Sequence, residues 1–258
     1  TPEPAPDQLA RVLASGKLRV NIELNYAPQS FQNPDGTYDG FNVDVGAEIA
    51  ERMGLEVEFS AIPFDAVVAG SWADRFDISV GSVTVTEQRK EVLDFAQPYY
   101  YSVAELAATT ASGITTLDGF AGQAICMGAG TSYQQWVEGT LALVDAPEPA
   151  PVPEGATTFI VETDQNCVES VTMGRADFAG WLTDTTLVRK AIAEGAPVVA
   201  VAPVFAESLA VALDASVADN DTFLAAVDAI IADMHEDGTL TELSKKWYEG
   251  LDLTVAGQ

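Results

Sequence analysis

At 258 residues the chain has room for one large domain or two modest ones, each with its own core, and 48% apolar residues exclude a disordered chain. Twelve Lys and Arg stand against thirty-nine Asp and Glu, a net charge of -27, so nucleic acid and anionic membrane surfaces are poor partners for it. No apolar run reaches the roughly 18 to 20 residues that span a bilayer.

Residues 1–7 (TPEPAPD) are Pro-rich and lack an apolar leader, so a flexible stalk over residues 1–14 is expected, left after removal of an export signal. Residues 17–22 (KLRVNI) alternate polar and apolar as a half-buried strand does. Asn33-Pro34-Asp35-Gly36 is a turn signal. Phe41, Val45, Ile49 and Met53 then recur every four residues, one face of a helix that Gly54 stops. Leu55, Val57, Phe59 and Ala61 alternate as a second strand, residues 65–72 read as a helix, and residues 77–82 (DISVGS) as a short apolar strand. This alternation predicts a mostly parallel sheet covered by helices.

The pattern restarts after about residue 108. A strand over 123–127, the loop Gly128-Ala129-Gly130 and a helix over 131–143 lead into the Pro-rich stretch 146–153. A strand over 159–162, a helix over 165–173, a strand over 178–182 and a helix over 187–194 follow, and residues 197–204 are apolar and extended. Phe223, Val227, Ile230, Ile231 and Met234 mark another amphipathic helix, and a last one covers 240–248. The expected fold class is α/β, built as two such units.

Cys126 and Cys167 leave their state open on the residues alone: a disulfide in an exported protein, thiols or metal ligands in a cytosolic one. With no CxxC and one histidine, His235, neither a zinc site nor any other cofactor is expected. His235 precedes Asp237-Gly238, the place of a helix end.

Two junctions could hold an anion. In Ser82-Val83-Thr84-Val85-Thr86-Glu87-Gln88-Arg89, Thr84 and Glu87 have the spacing of a capping box, and Arg89 would lie near the first turn of that helix. Free N–H groups and a guanidinium could together grip a carboxylate; an ordinary capped helix with a surface arginine fits the same spacing. Gly128-Ala129-Gly130-Thr131-Ser132 is a second loop-to-helix junction, which on its own reads first as a plain turn and only second as an anion seat.

Taken in order, Tyr26-Ala27-Pro28, Asp39-Gly40-Phe41-Asn42-Val43-Asp44, Thr84-Val85-Thr86-Glu87-Gln88-Arg89, Asp94-Phe95-Ala96-Gln97-Pro98-Tyr99, Gly130-Thr131-Ser132, Gly174-Arg175-Ala176-Asp177 and Lys246-Trp247-Tyr248 form a recognisable series. It resembles the family 3 extracellular solute-binding proteins, the polar amino-acid receptors of bacterial ABC importers, over roughly residues 15–250. The resemblance implies a two-lobed fold of the periplasmic-binding-protein type II, with residues 15–107 plus 206–258 as lobe 1 and 108–205 as lobe 2. Hinge crossings near 103–108 and 201–205 would let the lobes close on a ligand. It also implies that Arg89 binds the ligand α-carboxylate, helped by Thr84 and, across the cleft, by Thr131 and Ser132. Ser82 would offer its carbonyl to the α-ammonium, and an acid after the GRxD segment would complete that site. Asp184 is the candidate, two positions later than in many relatives, while Asp177 holds the turn. Tyr26 and Phe64 match aromatic walls around the ligand; without the resemblance both rings read as core. Cys126 and Cys167 are implied to join within the second lobe, as in a subgroup that includes glutamate-type receptors.

The implied protein is a monomeric periplasmic or extracellular receptor, with or without a lipid anchor, that delivers an amino acid or close amine relative to a membrane ABC transporter permease. Departures from the family pattern bear on the ligand. Tyr26-Ala27-Pro28-Gln29-Ser30-Phe31 is longer than the compact Tyr-x-Pro-Phe form. Glu23 falls where receptors for basic and amide amino acids place an acidic contact. A glutamate receptor would want a second cation, and the nearest, Arg75, matches a surface position beside a turn. A neutral, amide or basic ligand is therefore expected. Two other functions use this fold: dehydratases acting on prephenate or arogenate, and ligand-sensing domains of receptors. The first needs an acid catalyst in the cleft, and the second normally continues into a membrane span.

Overall fold

A computed structural model describes residues 7–175 and 177–256, so the expected stalk over 1–6 and Ala176 of the GRxD segment lie outside the described residues. The chain divides into two compact units, one of residues up to Tyr101 together with those from Ser208, the other of Ser102–Glu207.

The first unit begins with a helix where a stalk was expected. Residues 8–14 belong to that helix, α1 (Gln8–Ser15), started by the Asp7 carboxylate accepting the Ala10 N–H at 2.8 Å, and Val12 is buried. Next come β1 (Lys17–Asn21) and a small hairpin of β2 (Phe31–Gln32) and β3 (Tyr38–Asp39) around the Asn33–Gly36 turn. The helix α2 (Phe41–Arg52) turns Phe41, Val45 and Ile49 fully inward, as their spacing predicts. Its preceding Gly40 has φ 127°, and a Cβ there would lie 2.5 Å from the Gln29 carbonyl oxygen, so only glycine lets the helix start so close to the 26–30 loop. β4 (Glu56–Ser60), α3 (Phe64–Val68), β5 (Ile78–Thr84) and β6 (Leu93–Thr109) follow. The helix expected over 65–72 thus ends at Val68; Trp72 instead folds inward against Phe76.

The second unit holds the end of β6, then β7 (Ala124–Gly128), α4 (Ser132–Val137), β8 (Thr157–Val161), α5 (Asp164–Thr172), β9 (Gly180–Asp184), α6 (Thr185–Ala193) and most of β10 (Val198–Asp214). β7 runs parallel to β8 and β9, and β6 antiparallel to β9. Leu106, Phe120, Ile125, Met127, Trp136 and Leu182 form its core. A Cys126–Cys167 disulfide joins β7 to α5. α4 is six residues long, where a helix to residue 143 was expected; Gly139, in the left-handed region at φ 69°, follows its last turn.

The chain then returns to the first unit. There β10 runs antiparallel to β5, while β5, β1 and β4 are mutually parallel with Val20 opposite Ile78 and Lys17 opposite Glu56. α7 (Asp221–Glu236) and α8 (Thr239–Trp247) close the core of Leu18, Val20, Phe41, Ile49, Phe223 and Met234. The α/β class, with a mostly parallel sheet and flanking helices in each unit, is as expected. Among the described residues no helix is long and apolar enough to cross a membrane.

Candidate functional site

In the first unit the sequence-predicted residues gather at the end of β5. This strand is buried along its whole length, and it stops at Thr84. The helix expected next does not form. One 3-10 turn, Arg89–Glu91, is followed by β6 at Leu93, which leaves no length for an α-helix. The capping pair is different too: Thr86, not Thr84, accepts the Arg89 N–H through its hydroxyl at 3.2 Å, and Glu87 is exposed, 3.7 Å from Lys90. With no helix, there is no helix N-terminus to hold an anion here; the charge belongs to Arg89 alone.

Arg89 is 3% exposed. Its Nη1 donates to the Thr84 carbonyl at 2.8 Å, and its guanidinium lies 5.3 Å from the centre of the Phe64 ring. Arg89, Thr84 and Phe64 therefore meet, with the cation stacked on the aromatic face. Arg75 is elsewhere, its Nε donating to the Trp72 carbonyl at 2.9 Å in the turn before β5.

Ser82 is the strained point of the strand, at φ 55°. A non-glycine residue held there costs about 1–3 kcal/mol and persists only when its surroundings fix it. They do so through a network: Ser82 Oγ accepts from Asn42 Nδ2 at 2.9 Å and from the Tyr100 hydroxyl at 2.7 Å, and its N–H donates to the Tyr99 hydroxyl at 3.1 Å. Tyr99 in turn donates to Asn42 Oδ1 at 2.8 Å. Burial pushes the Tyr99 phenol well above its ordinary value, so it stays a neutral donor. Asn42 and Tyr99 belong to the motif series of the family resemblance, but neither they nor Tyr100 were expected at the site; the residues alone show only an Asn in a first helical turn and a run of three tyrosines.

Glu23 and Tyr26 belong to the loop beside this strand end. A Cβ on Gly81 would lie 3.6 Å from the Glu23 nitrogen, and the Glu23 carbonyl accepts the Ser30 hydroxyl. Tyr26 is buried and pairs with Ser30 by two backbone hydrogen bonds of 3.0 Å.

In the second unit, Thr131 caps α4, accepting the Gln134 N–H at 3.2 Å and donating to the Gly128 carbonyl at 2.9 Å. Ser132 donates to Glu207 at 2.7 Å. The helix is too short for a large dipole, so what this loop offers an anion is local N–H and hydroxyl groups. Asp184 ends β9 and caps α6: one oxygen accepts the Thr186 N–H at 2.6 Å and the other the Ser102 hydroxyl. Burial raises its carboxyl, with the Ser102 and Thr186 contacts acting the other way. Asp177 is exposed beside Ala176. Glu207 was missed; a single acid inside the long apolar strand β10 gives no pattern to find it by.

The unit thus buries three carboxylates, Asp164, Asp184 and Glu207, while its basic residues Arg175, Arg189 and Lys190 are all exposed. His235 has its Nε2 2.8 Å from the Pro98 carbonyl at the end of α7. Among the described residues no group of His, Cys, Asp and Glu is arranged to hold a metal.

The L-cystine-binding protein TcyJ of Escherichia coli (strain K12) is 29% identical over 253 residues, covering 95% of this chain and 87% of that protein. The histidine-binding periplasmic protein of Salmonella typhimurium is 25% identical over 243 residues, 90% of this chain and 88% of that one. Among solved structures, the ancestral amino acid-binding protein AncCDT-1, described as a precursor of cyclohexadienyl dehydratase, is similar in fold, with a TM-score of 0.78 at 24% identity over 93% of this chain and 99% of that one. The model of the bacterial extracellular solute-binding proteins, family 3, matches residues 18–250, a span that contains the Arg89 and Ser82 cluster, the Gly128–Ser132 loop, all of the second unit and most of the first, and the chain belongs to that family.

Proposed function

We propose that this chain is the extracytoplasmic binding protein of an ABC importer, taking a free amino acid with a neutral, amide or basic side chain, or a close amine metabolite, for delivery to a membrane permease. The observation that carries this reading is the buried Arg89, oriented by the Thr84 carbonyl and the Phe64 ring. In an acidic protein such a cation is best explained as the seat of a ligand carboxylate, which a planar guanidinium grips with two hydrogen bonds. In this reading Thr84, Thr131 and Ser132 add donors to that carboxylate. The Ser82 carbonyl, Asp184 and Glu23 receive the ammonium or a basic side chain, and Tyr26 and Phe64 flank the ligand. Closure of the two units on the zwitterion, through the strands β6 and β10 that connect them, gives the permease a ligand-dependent surface to recognise.

Buried carboxylates without buried cations in the second unit support a ligand that brings positive charge, and oppose one with an acidic side chain. The named ligands of two relatives, L-cystine and histidine, are in keeping with this. The disulfide suits an oxidising compartment outside the cytoplasm. The test is a thermal-shift screen of amino acids and small amines, since a ligand at 100 times its Kd stabilises by about 2.7 kcal/mol. A large shift with a neutral, amide or basic amino acid, lost in Arg89→Ala, is the expected result. Tight selective binding of glutamate, or turnover of prephenate, would overturn the reading.

A further inference from the structure

We propose that Asp164 is the positioning residue of the Gly128–Ser132 segment, holding in place the groups that the second unit offers to the ligand carboxylate; this rests on the role of Thr131 and Ser132 proposed above. Asp164 is the first residue of α5, directly after the capping box of Thr163 with Asn166, and it is 4% exposed. Its Oδ1 accepts the Gly128 N–H at 2.6 Å and its Oδ2 the Thr183 hydroxyl at 2.9 Å. The approach is so close that a Cβ at position 128 would stand 3.0 Å from Oδ1 and 3.3 Å from the Asp164 nitrogen, which gives the first glycine of the loop its reason. Through the Gly128 carbonyl the contact continues to Thr131 and on to the Gln134 N–H, so one chain of hydrogen bonds ties β9, α5, the loop and α4 together. The disulfide pins the same place from the side, since Cys126 lies two residues before Gly128 and Cys167 three after Asp164.

A carboxyl can make both bonds in either protonation state. Ionised, it accepts from both partners. Protonated, it still accepts from Gly128, and its own proton turns to the Thr183 oxygen, whose hydroxyl rotates to receive it. The ionisable groups facing it are Asp184 from β9 and Glu207 from β10, both acids; β7 and β8, also packed on α5, bring none but the disulfide cysteine. Arg189 on α6 acts on Asp184. Burial above all, then those two acids, push the Asp164 carboxyl up to about 7 against the lowering effect of Gly128 and Thr183. The contact therefore changes charge near neutrality while keeping its geometry.

Asp164→Asn preserves both hydrogen bonds without the charge, and Asp164→Ala removes them. The first readout needs no ligand: the Gly128 amide signal in proton–nitrogen NMR spectra of the whole chain. In the wild type it is expected to move with pH, with a midpoint of about 7, and in Asp164→Asn to stay fixed. The second is affinity for the tightest binder among L-arginine, L-histidine and L-cystine. Asp164→Ala is expected to weaken it about tenfold or more, with Asp164→Asn restored to within about twofold of the wild type. A Gly128 signal indifferent to pH and to the Asn substitution overturns the proposal. So does an unchanged affinity in Asp164→Ala when Ser132→Ala weakens binding. If the amide behaves as expected but Arg89→Ala binds like the wild type, the site reading itself falls, and the ligand part of this proposal with it.

Discussion

At Ser82 the strand spends conformational energy on aiming its peptide groups. The left-handed φ of 55° turns the backbone at the place where β5 ends, and Asn42, Tyr99 and Tyr100 hold it there by hydrogen bonds to both the side chain and the N–H. Ser82→Ala keeps the backbone but leaves the Tyr100 hydroxyl and the Asn42 amide without that acceptor in a buried site. Losing a buried hydrogen-bond partner costs about 1–3 kcal/mol, so a fall in Tm is expected, together with weaker ligand binding as the carbonyl at position 82 drifts. Calorimetry and titration on the same sample check both; a variant as stable as the wild type would mean the network is not what holds the strained φ. Arg89→Lys belongs to the same scale. The ammonium keeps the charge but loses the planar fork and the stack on Phe64, so affinity is expected to fall about tenfold, measured by titration calorimetry.

Single elements were legible where one face decides burial. Phe41, Val45, Ile49 and Met53 predicted α2, and Phe223, Val227, Ile230, Ile231 and Met234 predicted α7; all are buried except Met53, just past the end of α2, and Ile230, which pack half-buried against the same core. The errors have local causes. Residues 8–15 carry Asp7 as cap and Val12 as core, but the prolines before them pointed to a stalk. Thr84 and Glu87 have capping-box spacing, yet the apolar run from Leu93 claims the chain for β6 after one turn. Of the site, Arg89 stood out because cations are scarce, and the structure sets it with Thr84 and Phe64. The Ser82 φ and the burial of Asp164 and Glu207 were invisible, since they depend on contacts between residues far apart in sequence. The boundaries between the units, at Tyr101 and Glu207, fall inside continuous strands, where no change of composition marks them. The disulfide acts at this scale too. It closes a loop over a separation of 41 residues, and the chain-entropy relation gives about 4 kcal/mol for such a loop. Reduction is therefore expected to lower the denaturation midpoint markedly, read in urea with and without dithiothreitol, while Cys126→Ala should reproduce it without reductant.

Over the whole molecule the net charge of -27 and the buried acids act in the same direction. Asp164, raised from 3.8 to about 7, binds a proton in the folded chain that the unfolded chain has already released, and the buried Asp184 is raised as well. Stability therefore falls as pH rises from about 4 to about 7, because the native state is the one holding more protons. Mutual repulsion of the surface acids grows over the same range. On the acid side the sign reverses. Asp237 is lowered to about 2 by the Thr239 hydroxyl and N–H and by Arg52, so its contribution is full above about 3.8 and is lost as pH falls through about 2. Tm should accordingly peak in mild acid and decline toward neutrality. Salt separates the two causes of that decline: the Debye length falls from about 30 Å at 0.01 M to about 8 Å at 0.15 M, which quiets surface repulsion but hardly touches a buried carboxyl. In low salt the decline should be steep, in high salt shallow, and the part that salt leaves should be diminished by Asp164→Asn. Scanning calorimetry across a pH series at two salt concentrations measures all three. A Tm that climbs steadily from about pH 5 to about pH 8 would show that carboxylates with lowered values outweigh the buried ones.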